Sequence, residues 1–131
     1  MTKNYNNVVC FDFDGTICRQ QKYGDGLIYE KPMPQAKKII DRFKQKGFRI
    51  VVLTTRLNPK MGGDLKWKKW VIQHWLEKYE IPFDEITNNK PDADLYLDNK
   101  GFRFTGWSKI ETSLKKFLPN YFLLKHQLKL K

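Results

Sequence analysis

Three stretches of the chain are apolar without a break, and each runs into polar residues. Val8, Val9, Cys10 and Phe11 lead to Asp12; Ile50, Val51, Val52 and Leu53 lead to Thr54, Thr55 and Arg56; Leu95, Tyr96 and Leu97 lead to Asp98. Continuous apolar runs with β-branched members are the pattern of buried strands, here Asn7–Phe13, Phe48–Thr54 and Leu95–Leu97, with a shorter strand expected over Glu85–Thr87. Ala36, Ile39, Ile40 and Phe43 recur at i, i+3, i+4 and i+7, which predicts an amphipathic helix from Pro34 to Lys46 stopped by Gly47. Asp64 offers an N-cap for a second helix reaching Tyr79, with Trp67, Trp70, Val71, Trp75 and Leu76 near one side. Core packing is the expected role of Trp67, Trp70, Trp75 and Trp107, with stacking on bases the alternative should a pair prove exposed. His74, inside the same helix and away from every strand end, is expected to be structural.

Strands alternating with helices imply right-handed crossovers and a mostly parallel sheet. The fold expected is α/β, a single three-layer α/β/α Rossmann-like domain whose ligands bind outside the carboxyl ends of the strands. The polar ends named above would converge there. A chain of 131 residues buries roughly two-thirds of its unfolded surface, enough for one core without metal or disulfide staples. The core is expected over residues 1–110, with 111–131 a basic helical extension packed on it.

No apolar run approaches the ~20 residues that span a bilayer. The run from Val8 to Phe13 is broken by Asp12 and does not make the apolar region of a signal peptide, so a cytoplasmic protein is expected. Cys10 and Cys18 match no metal-binding spacing and are expected as free thiols. A formal charge of +11 favours anionic partners, whether phosphorylated metabolites, nucleic acid or an anionic surface, without choosing among them.

The chemistry gathers at the strand ends. In FDFDGT, residues 11–16, two aspartates two apart close a strand, and Gly15 permits a close backbone approach in the turn that follows. Thr54 closes the second strand in VVLTTR, Lys90 lies in NNKPDAD, and Asp98 ends the strand of DLYLDNKG. These four motifs, in this order over residues 8–99, resemble those of the haloacid dehalogenase superfamily, in its small uncapped phosphatase-like form. The segment FRFTGW, Phe102–Trp107, is similar to one that follows the fourth motif in small phage and bacterial members.

The resemblance implies a phosphomonoester hydrolase. Asp12 would be the nucleophile that forms an aspartyl-phosphate, and Asp14 the general acid and base. Asp12, the backbone carbonyl of Asp14, and Asp98 would hold Mg2+, a hard cation that keeps several waters. Thr54, Thr55, Gly15 and Arg56 would hold the phosphate, and Lys90 would offset its charge. Arg56, Lys60 and Arg103 are candidate substrate contacts. One departure concerns the fourth motif, where many small members carry a second acid and this chain has Asn99. Only Cys18–Pro32 separates the first motif from the next helix, too little for a cap domain. The Tyr23–Glu30 part of it is either a short flap or a surface loop. Asp94 is expected to serve strand entry rather than a metal. The substrate expected is a phosphorylated small molecule; the alternatives are a nucleotide or polynucleotide end phosphatase, or a weakly catalytic, basic nucleic-acid-binding module.

Overall fold

The computed structural model of the chain describes residues 6–22, 24–108 and 110–114. In order they form strand β1 (Val8–Asp12), helix α1 (Ala36–Gln45), strand β2 (Arg49–Leu53), helix α2 (Leu65–Lys78), strands β3 (Glu85–Thr87) and β4 (Leu95–Leu97), and a short helix α3 (Ile110–Leu114). The four strands make one parallel sheet in the order β3-β2-β1-β4, with Cys10 facing Val51 on one side and Tyr96 on the other. The α/β reading with a parallel sheet and no cap domain holds.

From β1 to β2 to β3 the chain steps in one direction, so right-handed crossovers put α1 and α2 on the same face of the sheet. That face carries Val9, Phe11, Ile50, Val52 and Ile86, which join Ile40 of α1 and Ile72, Trp75 and Leu76 of α2 in one core. The direction then reverses, because β4 lies on the far side of β1. The reversal creates a switch point between β1 and β4, the place where open α/β sheets bind ligands. Leu76 and Ile72 are almost wholly buried, and truncating either to alanine costs about 2–5 kcal/mol.

The sequence signals for the element ends are met. Asp64 Oδ1 accepts from the amides of Lys66 and Trp67 at 2.9 and 3.3 Å, capping α2. Gly47 (φ 88°) ends α1 in a left-handed turn, after which the amide of Phe48 returns to the carbonyl of Phe43 at 3.1 Å. At the opposite edge of the sheet two aspartates tie down strand entries. Asp94 accepts from the amides of Asn6 and Val8, both at 3.0 Å, the strand-entry role expected of it. Asp84 accepts from the amide of Ile50 at 2.7 Å and from Lys44 Nζ at 2.7 Å.

Between β1 and α1 the chain makes one closed excursion. Arg19 donates to the carbonyl of Lys31 at 3.1 Å and Met33 to that of Ile17 at 2.7 Å, closing its neck. The Gln21 side chain brackets it from within, donating to Leu27 O at 3.0 Å and accepting from the amides of Tyr29 and Glu30 at 3.1 and 2.9 Å. Trp75 Nε1 donates to Glu30 O at 3.0 Å and fastens the excursion to α2. Residues 24–30 are thus a hydrogen-bonded loop; Tyr23 lies outside the described residues.

The chain divides into two units, Met1–Gly101 and Phe102–Lys131. The sheet and its two long helices belong to the first. The second holds α3 and Arg103, and in it Phe104 meets Trp107 edge-on at 4.9 Å. Of the helical extension expected over 111–131, the part up to Leu114 belongs to α3, and the rest lies outside the described residues. Among the described residues, no helix is long and apolar enough to cross a membrane.

Candidate active site

The carboxyl ends of β1, β2 and β4 deliver Asp12, Thr54 and Asp98 to one edge of the sheet, because the three strands run parallel and in register. Asp12 is half-buried at the switch point. Its carboxyl is pushed up from 3.8 to about 6, first by burial and then by the charges of Asp98 and Asp14, while the Phe13 amide and Lys100 pull it back. A cluster of like charges therefore meets in a partly desolvated place. Cys10, one residue before, has its thiol pushed up to about 11 by burial and by Asp12. Cys18 is pushed up to about 12, again by burial first. Both cysteines are buried free thiols, as expected, and stay neutral.

After Asp12 the chain turns sharply. The amides of Ile17 and Cys18 return to the carbonyl of Phe13 at 3.1 and 3.0 Å. Gly15 sits at φ +84°, and a Cβ there would lie 2.4 Å from Asn99 Nδ2 and 2.9 Å from Gln20 Oε1. Only glycine satisfies both the dihedral and the contact. The amide of Asn99 donates to Thr16 Oγ1 at 3.1 Å, stitching the loop after β4 to the loop after β1. Asn99, where a second acid was missed in the sequence, thus lies directly over the glycine of the first motif.

The turn after β2 has a definite task. Thr54 is 2% exposed; its Oγ1 accepts from the amide of Arg56 at 3.1 Å and starts a 3-10 turn over Thr55–Leu57. That turn brings the guanidinium to Asp14, with Nε 2.8 Å from Oδ2 and Nη2 2.9 Å from Oδ1. Asp14 and Arg56 are 8% and 5% exposed. Arg56, expected as a substrate contact, here serves Asp14: a buried carboxylate needs a partner, and Arg56 supplies a two-pronged one. Thr55 is exposed on the same turn.

Two lysines lie near the carboxylates, Lys90 close enough to lower the Cys10 thiol and Lys100 close enough to lower the Asp12 carboxyl. Lys90, expected to offset the phosphate charge, is exposed and stands 4.4 Å over the Tyr96 ring. Lys100, not singled out in the sequence, is the cation that lowers the carboxyl of Asp12. Its amide donates to Asp98 Oδ1 at 2.7 Å, fixing that carboxylate in the loop after β4. Asp98 is exposed, so the site is open to solvent on this side.

Among the described residues, no three His, Cys, Asp or Glu side chains gather into a metal cluster. The donors near Asp12 still fit a hard divalent cation that takes few protein ligands and keeps its waters. Asp12 and Asp98 bring two carboxylates that repel each other, and the Asp14 carboxylate is turned to Arg56, so of Asp14 only the backbone carbonyl would be left to a cation.

No family model and no curated protein matches the chain. Solved structures share its fold. A conserved protein from Bacteroides thetaiotaomicron is 20% identical, over 83% of this chain and 88% of its own, with a TM-score of 0.53. A protein from Vibrio cholerae is 23% identical, over 83% of this chain and 97% of its own, with a TM-score of 0.52. These likenesses establish the fold.

On α2 the tryptophans part company. Trp75 is buried against Phe13, as expected, with ring centroids 5.2 Å apart. Trp67 and Trp70 are 40% and 52% exposed, which corrects the expectation that they pack in the core. The buried arc of the helix is Val71, Ile72, Trp75 and Leu76, and at about 100° per residue position 67 lies on its flank and position 70 nearly opposite it. His74 stacks on Trp70 at 4.0 Å.

Proposed function

We propose that the chain is a magnesium-dependent phosphomonoester hydrolase of the haloacid dehalogenase type, working through an aspartyl-phosphate on Asp12. The observation that carries this reading is the meeting of Asp12, Asp98 and the Asp14 turn at the switch point of a parallel sheet. Asp12 attacks phosphorus; a new O–P bond forms as the ester O–P bond breaks, and Asp14 protonates the departing alkoxide. Asp14 then takes a proton from water, which attacks the phosphoryl group and frees both phosphate and Asp12. Bound magnesium supplies the positive charge that lets an anionic ester approach anionic carboxylates. The Thr54 hydroxyl and the amides after Asp12 orient the phosphoryl oxygens.

Arg56 enters the scheme through Asp14. In the resting pair both Asp14 oxygens accept from Arg56, so the acid/base work requires the carboxylate to swing from the guanidinium, take up a proton from solvent and present it to the leaving oxygen. The substrate is a phosphorylated molecule whose own body helps exclude water, since no cap covers the site.

The test is hydrolysis of an aryl phosphate with and without magnesium, comparing the wild type with Asp12→Asn. Metal-dependent turnover lost in the variant is the expected result. Turnover that survives the substitution, or none in either protein across a panel of phosphate esters, sinks the reading.

A further inference from the structure

We infer that the ester presented to Asp12 is the phosphorylated end of a single-stranded polynucleotide, with its terminal base over Trp67 and the next base on Trp70. This deepens the hydrolase reading and rests on it. A cavity of about 360 Å3 opens between the Gly24–Gly26 loop and the first turn of α2, bounded by Gly26, Arg56, Met61, Gly63, Trp67 and Lys68. Its volume falls within the range of small-ligand sites. Arg56 joins it to the chemistry, because the guanidinium that lines the cavity is the one bonded to Asp14. In the proposed complex the leaving group passes Arg56 into this cavity.

The walls suit a flat ring. Trp67 and Met61 present apolar surface, 40% and 47% exposed. Gly26 approaches the Trp67 ring so closely that a Cβ would lie 3.0 Å from it. The two carboxylates on the rim are already engaged: Asp64 caps α2, and Asp25 accepts from the Leu27 amide and the Tyr29 hydroxyl.

A second feature, outside the cavity, extends the ligand beyond one nucleotide. Trp67, Trp70 and His74 fall at i, i+3 and i+7, one stripe along α2. Trp70 and His74 are both exposed and stacked, with rings 29° apart. Lys66 and Lys69 stand exposed beside them. Exposed flat rings interleaved with lysines are what a single strand uses, the rings for its bases and the ammonium groups for its phosphates. A free mononucleotide would fill the cavity and leave this stripe without a task.

The experiment is tryptophan-fluorescence titration of the full chain with a single-stranded oligonucleotide carrying a terminal phosphate, and with a free mononucleotide. Wild type, Trp67→Ala, Trp67→Phe and Trp70→Ala are compared, alongside hydrolysis of an aryl phosphate by the wild type. The oligonucleotide should bind more tightly than the mononucleotide, and each alanine variant should weaken it by about 5- to 100-fold, the loss of one base stack. Trp67→Phe should retain most of the affinity. Reversing both lysines, Lys66→Glu with Lys69→Glu, should flatten the dependence of affinity on salt. Equal affinity for the two ligands, or oligonucleotide binding indifferent to both alanine variants, overturns the inference. Aryl phosphate turnover without oligonucleotide binding overturns it while sparing the hydrolase reading. Tryptophan-dependent binding with no phosphate released from the oligonucleotide or from the panel of esters keeps the surface and overturns the hydrolase reading.

Discussion

Replacing Asp12 should make the metal-free protein more stable. The Asp12 carboxyl is pushed from 3.8 to about 6 by burial and by Asp98 and Asp14, so its ionised form is penalised by folding. A shift of about 2 pH units corresponds to about 3 kcal/mol at 1.36 kcal/mol per unit. The carboxylate keeps part of its hydration, and screening reduces this to about 1–2 kcal/mol. The sign follows from proton linkage. Because the folded state holds the proton more tightly than the unfolded chain, the penalty is complete above about pH 6, shrinks as the pH falls, and vanishes below about pH 4. Asparagine has the shape of the carboxylate without its charge. In chelator at neutral pH, Asp12→Asn should therefore melt about 3–8 °C above the wild type, and the two curves should converge near pH 4. Thermal unfolding followed by circular dichroism across that pH range measures this. Adding magnesium should raise the wild type more than the variant, since only the wild type has the full charge to neutralise. A variant less stable than the wild type at neutral pH, or a gap that does not change with pH, refutes the account of Asp12.

Three further substitutions probe the supports of the site and the opposite edge of the sheet. Gly15→Ala combines a left-handed dihedral with a contact of 2.4 Å to the Asn99 amide; it should cost about 1–3 kcal/mol in urea unfolding and abolish turnover, and adding Asn99→Ala should recover only part of the stability. Arg56→Ala leaves the buried Asp14 carboxylate alone and should cost about 3–5 kcal/mol; replacing both residues of the pair by apolar ones should cost less than the single change, which a double-mutant cycle reads directly. Asp84 is pushed upward by burial, but the Ile50 amide and Lys44 outweigh this and hold it below 3.8. Its contribution is therefore present above that value and lost as the pH falls through its lowered pKa. Asp84→Asn should destabilise by about 1 kcal/mol at neutral pH, with the gap closing in strong acid.

Strands β1 and β2 could be read from the sequence because they are buried on both faces, and such strands show as unbroken apolar runs; β4 shows the same kind of run although Leu95 and Tyr96 are exposed. Asp12 stood out from the same pattern, since it is where the first run stops. Helix α2 was located by its cap, Asp64, and its length by the apolar residues up to Tyr79. What the local pattern lacks is distance between turns. Asp14 and Arg56 stand 42 residues apart, and nothing near either one announces the pair that two neighbouring parallel strands bring to 2.8 Å. Lys100 was hidden for the same reason: its effect on Asp12 arises from β4 lying beside β1.

The tryptophans mark a different boundary. A helix that mixes aromatic and basic residues, as Lys66 to Trp75 does, has no sharp apolar stripe, and only its packing decides which rings face inward. Here Trp75 is held inward by its indole hydrogen bond to Glu30, and that choice turns Trp67 and Trp70 outward by helical geometry alone. The reaction chemistry sits on strand ends, where the pattern is strong. The surface that would select the leaving group sits on the outward side of a helix and a glycine loop, where it is weak. A chain of this kind discloses how it would attack a phosphate sooner than whose phosphate it attacks.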